Sequence, residues 1–278
     1  MAKNKHKEIN YKKLVTIENI QKCFANANML FYESKLVMRR QTKFVLLEIS
    51  LEEYIKAWAI FFLLFKDEIL MLKDLLNTIE FKNKEKINDY FKDLSEIIYE
   101  LSQPDITEIF RTHKIKLLYA EKLLNFFNVI FQKVILILRK VREEQETRNS
   151  FYNVAALFNI KMPPVDDLIN QIEIDMEAVS AIKKLFENLS NLDELKNVKE
   201  SALYVNLNEN CDNLISPDLS IFNIIRLSND IEPFIEFIQH INALLDNYLY
   251  PILTSIKNIL NSENKKNDLE VALSSFFN

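Results

Sequence analysis

Apolar residues recur at three- and four-residue spacing along most of this chain, the period of a helix with one buried face. Ile20, Cys23, Ala27, Leu30 and Val37 mark the apolar side of a first helix over Ile17 to Met38. A second runs from Thr42 to about Asn77 with a bend or break near Lys66, and a third, Asn83 to Leu101, is stopped by Pro104, because proline lacks the amide a helix interior needs. From Asp105 the pattern allows one unusually long helix to about Arg148. Its middle, Leu117 to Leu138, is apolar nearly all round, which predicts the central rod of a bundle.

Met162-Pro163-Pro164 breaks the run, and helices follow over Val165 to Leu189 and Asn191 to Ser201. Ala202 to Leu207 has a different character and leads through Asn- and Asp-rich residues to Pro217, the pattern of an ordered, extended loop. Ile221 to Leu227, Ile231 to Leu260 and a weak helix at Asp268 to Phe277 close the chain, with Pro233 and Pro251 each expected to begin or kink a helix.

Four polar residues interrupt the apolar faces: Glu33, Glu53, His113 and Lys116. Around Glu53 the same-face neighbours are Leu46, Ile49, Ala57 and Ile60, and around His113 they are Ile106, Ile109, Phe110, Leu117 and Ala120, with Lys116 on the same stripe. These side chains are therefore expected to look inward, where a charge is costly unless paired.

Composition narrows the field. The 278 residues include no glycine, which excludes phosphate-binding loops and dinucleotide fingerprints that need glycine's backbone freedom. A hydrophobic share of 49% supports a sizeable core, and a net charge of -5 argues against a chain that wraps nucleic acid over its whole surface. The basic stretch Lys3 to Lys13 is read either as a solvated tail or as a local RNA contact. Cys23 and Cys211 lie far apart without metal-ligand spacing, so free thiols and no metal or cofactor are expected. The longest uncharged apolar run, Ala57 to Phe65, is far short of the ~20 residues of a membrane span, and no leader pattern opens the chain. A soluble, cytoplasmic protein is expected.

Four segments in register carry a resemblance. Asn26-Ala27-x-x-Leu30-x-x-Glu33-Ser34 and Glu52-Glu53-x-x-Lys56, then Phe110-Arg111-Thr112-His113-Lys114-Ile115-Lys116, then Lys199 to Asn206 with Pro217 downstream, together resemble the AbiV family of abortive-infection proteins within the HEPN superfamily of helical bundles. Ile55 and Ala202 stand where that family usually has glycine, and Asn206 where it has aspartate. The resemblance implies an all-α, antiparallel helical bundle of HEPN type over residues 15–160. A basic tail over 1–14 precedes it, and a C-terminal helical extension over 161–278 follows, with its extended loop at 202–217. It also implies a homodimer that blocks phage multiplication at the level of RNA or translation.

Many HEPN proteins are metal-independent ribonucleases with an Arg and a His a few residues apart. Of His6, His113 and His240, only His113 has an Arg close before it, and Arg111 is too close to make that dyad. A substitute set can be drawn up: His113 as base, Glu53 to orient it, and Lys56, Lys116 and Arg111 to bind phosphate. Asn26, Glu33, Glu52 and Tyr204 join it as binding residues. The plainer readings stay open beside it: a surface pair of Glu52 with Lys56, a buried staple of Glu53 with His113 or Lys116, and His240 as a half-buried core histidine. So does a second function, a non-catalytic protein that sequesters a phage or host factor, and a third, a helical scaffold with no defence role.

Overall fold

A computed structural model describes residues 11–78, 96–102, 106–188, 206–207, 214–215 and 221–277. The fold is all-α. After a short turn at Tyr11–Leu14, the helices are α1 (Ile17–Leu36), α2 (Arg40–Leu64), α3 (Lys66–Thr78), α4 (96–101), α5 (Ile106–Arg111), α6 (His113–Glu143), α7 (Gln145–Leu157), α8 (Val165–Asn188), α9 (Ile221–Leu244), α10 (Tyr250–Leu260) and α11 (Glu263–Phe277). A π-helical turn, Leu245–Leu249, joins α9 to α10. The extended segment expected after residue 201 is described only at β1 (Asn206–Leu207) and β2 (Leu214–Ile215), which pair antiparallel. Of the helix expected over Asn83 to Leu101 only the end from residue 96 is described, and the helix expected over Asn191 to Ser201, with Tyr204, lies outside the described residues.

The central rod is α2, not the long helix expected from the apolar middle of α6. Fifteen of its 25 residues are buried, with α1, α6 and α9 packed around it. Leu118 and Leu136 of α6 are 41% and 52% exposed, so that helix keeps a solvent side. α8 covers α6. At the heart of the bundle Trp58 meets the rings of Phe127 (5.1 Å between centroids), Phe61 (5.4 Å) and Phe62 (5.9 Å). Small residues let α1 and α2 approach, and Ser50 Oγ of α2 donates to the Ala27 carbonyl of α1 over 2.8 Å. Helices from either side of the Pro163-Pro164 break share this core, since Phe127 of α6 packs on Phe237 of α9 at 5.6 Å. α7, α10 and α11 build a smaller cluster around Phe158, Ile256, Ile259 and Leu269.

Side chains, not glycine or proline, break the helix expected over Asp105 to Arg148 into three. At Thr112 and Glu144 the backbone is extended. Thr147 Oγ1 donates to Glu144 Oε2 over 2.6 Å, and the Arg148 guanidinium donates to the carbonyls of Val141 and Arg142, capping the end of α6. The break expected near Lys66 falls at Phe65. Pro251 opens α10 as expected, whereas Pro233 is carried inside α9. Lacking glycine, the chain ends α7 with Asn159 at φ 57°. The Asn159 and Ile160 amides donate to the carbonyls of Ala156 and Ala155, the two bonds of a Schellman cap.

Candidate functional site

The corner where α2 meets α5 and α6 gathers most of the chemistry picked from the sequence. On α2, consecutive residues Glu52 and Glu53 diverge by about 100° around the helix, so they meet different partners. Glu52 turns to α6, where Lys116 Nζ donates to its Oε2 over 2.6 Å. Both side chains are nearly closed to solvent, at 4% for Lys116 and 8% for Glu52. Glu53 pairs with Lys56 one turn along α2, and both keep about 15% of their side-chain surface exposed. Lys56 Nζ also lies 5.7 Å from the Phe110 ring of α5, within reach of a cation–π attraction.

Several expectations change here. Lys116 is stapled by Glu52 and not by Glu53, while the alternative pair of Glu53 with His113 falls on a side chain outside the described residues. The Glu52–Lys56 surface pair gives way to Glu53–Lys56. Lys116, buried and committed to Glu52, is withdrawn from the phosphate-binding role. Glu33 is exposed, and it is Ser34 beside it that is buried, donating to the Phe31 carbonyl over 2.6 Å. Asn26 is half-buried and Arg111 exposed at the end of α5. His113 opens α6, one residue past the Thr112 hinge; its side chain lies outside the described residues.

The structure also brings in residues that the pattern did not single out. Cys23 of α1 faces this corner: burial pushes its thiol up to about 11, Glu53 adds to the rise and Lys56 opposes it. It is therefore a protonated, unreactive thiol at neutral pH. Glu48, one turn before Glu52, is 2% exposed. Asn28 of α1 is a polar node, its Oδ1 accepting from Tyr54 Oη of α2 and, over 2.9 Å, from Gln239 Nε2 of α9. Among the described residues, no three His, Cys, Asp or Glu side chains are placed to hold a metal ion, and no helix is long and apolar enough to cross a membrane.

A second polar group lies on the far side of the bundle. His240 of α9 is half-buried, and its Nδ1 lies 2.9 Å from Asp175 Oδ1 of α8. Asp175 itself is 3% exposed. Its neighbours Leu168, Ile172, Val179 and Ile182 place it on an apolar helix face, a signal as strong as that around Glu53.

Burial raises the Asp175 pKa, and the His240 charge pulls it back in part. A raised folded value means that the native chain holds this proton more tightly than the unfolded chain. Stability is therefore lost as pH rises from the ordinary value of 3.8 through the folded value. Asp175→Asn abolishes this slope. Thermal melts at a series of pH values are expected to show the variant gaining on the wild type as pH is raised toward neutrality.

Compared with protein-family models, with curated proteins and with solved structures, the chain finds no match in any of the three.

Proposed function

We propose that this chain is a phage-defence effector of the AbiV type, built on a HEPN-like bundle and acting inside the cell on RNA or translation to stop phage multiplication. The observation that supports this reading is convergence. Two of the segments that resemble the family, Glu52-Glu53-x-x-Lys56 and Phe110 to Lys116, meet at one corner through Glu52–Lys116 and Lys56–Phe110, and Cys23 of α1, one turn before Asn26, sits against the same charges. The solvent-reachable part of the corner is Glu53 and Lys56, with Arg111 exposed at its edge. In the nuclease form of the proposal His113 takes the 2'-hydroxyl proton while Lys56 and Arg111 meet the phosphate.

The pairing of every acid and base described at this corner favours a second reading, a non-catalytic protein that sequesters a phage or host factor. Purified wild type, Glu53→Gln and His113→Ala, matched in melting temperature, separate the two when incubated with total RNA and with a translation extract, with and without EDTA. A nuclease cleaves RNA in EDTA and loses about 10²–10⁴-fold in rate in each variant. Translation blocked equally by all three proteins, with RNA intact, selects the binding protein. Unchanged plaque formation in cells expressing the wild type overturns the defence reading altogether. The homodimer belongs to the same proposal. Its candidate face is the exposed apolar stripe of α1, Met29, Tyr32 and Leu36, which are 52%, 61% and 83% exposed.

A further inference from the structure

Away from the corner, α6, α8, α9 and the π turn line a half-open pocket of about 370 Å³. Phe131 and Val134 come from α6, Ile172 from α8, Leu244 from α9 and Leu249 from the π turn. Of all the lining side chains, only Gln171 and Tyr248 carry an N–H or O–H group. Protein interiors rarely leave voids much larger than a water molecule, and this volume falls within the range of ligand pockets, about 300–1,000 Å³. The local fold makes room for it. The Tyr250 amide reaches back to the Leu245 carbonyl, widening the helix by one residue where Leu245, Tyr248 and Leu249 form the wall; such π turns are frequent at functional sites.

The wall sets the ligand's chemistry, since it exposes no polar atom to the space. Gln171 Nε2 lies 3.5 Å from Asp175 Oδ1. Asp175 is 3% exposed, and its Oδ2 has no hydrogen-bond partner among the described residues. An anionic group in the space would find no donor to meet it and would lie near that buried carboxylate, whereas an uncharged, apolar molecule matches the wall. Scaled from a cavity of about 150 Å³ that holds benzene, the space suits about 15 non-hydrogen atoms. We infer that this pocket is a binding site for an uncharged, largely apolar molecule. The site is separate from the corner that carries the defence reading and does not depend on it.

The test uses the purified full chain and the neutral fluorophore N-phenyl-1-naphthylamine. Its fluorescence is expected to rise saturably on binding, and decan-1-ol to displace it at least about tenfold more effectively than decanoate. Val134→Phe fills the space and is expected to weaken the fluorophore by about tenfold or more without lowering the melting temperature. The absence of saturable binding, or equal binding by Val134→Phe, overturns the site, and equal competition by decanoate overturns the uncharged ligand. If Val134→Phe does not fold, the wild type decides: a melting temperature that climbs with decan-1-ol concentration supports the site, and one that stays flat overturns it.

Discussion

Lys116→Met is expected to destabilise the fold by about 3–5 kcal/mol, read as a fall in the urea midpoint at unchanged slope. The Lys116 ammonium and the Glu52 carboxylate are nearly closed to solvent and 2.6 Å apart. Truncating the lysine takes an ammonium away from a buried carboxylate, and in such surroundings that penalty exceeds the net worth of the pair. The double variant Glu52→Leu/Lys116→Met removes both charges and is expected to recover most of the loss. Recovery in stability without recovery of translation block or RNA cleavage would separate the staple from the activity. A single variant as stable as the wild type would mean that Glu52 does not carry its charge in the folded chain.

That pair also marks how far the sequence could be read. Helical period was enough to show that α2 carries inward charge, and that Lys116 lies on an inward stripe of α6. It could not choose between Glu52 and Glu53, because adjacent residues sit about 100° apart and the choice depends on where α6 crosses α2. Glu33 misled for the same reason: its apolar neighbours on α1, Met29, Tyr32 and Leu36, are themselves exposed, so an apolar stripe was present but no helix among the described residues covers it. Asp175 was legible by the rule applied to Glu53, and only its partner His240, 65 positions away, needed three dimensions.

Helix ends divide along a similar line. The break at Phe65 and the start of α8 follow local signals, a charged Lys66-Asp67-Glu68 start and the Pro163-Pro164 pair before Val165. The breaks at Thr112 and Glu144 carry no glycine or proline. At Glu144, Thr147 bonds three residues back and Arg148 seven, and at Thr112 the hydroxyl bonds to Glu108, a choice of side-chain partners that periodicity does not register. The central place of α2 over α6 was hidden too, since both read as strongly apolar and only packing from α1 and α9 decides which is enclosed.

Trp58→Ala is the core substitution expected to cost most, about 3–5 kcal/mol. The indole is completely buried and edge-on to Phe127 and Phe61, so its removal takes away apolar burial, several aromatic contacts and the filling of a space that rigid neighbours cannot close. Trp58→Phe makes the physics separable. It keeps a ring in the same place and removes the indole N–H, which is buried without a hydrogen-bond partner among the described residues, a liability of about 1–3 kcal/mol. The two terms oppose each other, so the phenylalanine variant is expected to lose far less than the alanine one. Trp58 is the chain's one tryptophan, so unfolding of both variants must be followed by circular dichroism, with wild-type fluorescence as the independent check of a single transition. Equal losses in the two variants would mean that packing of the larger indole ring outweighs its unpartnered donor.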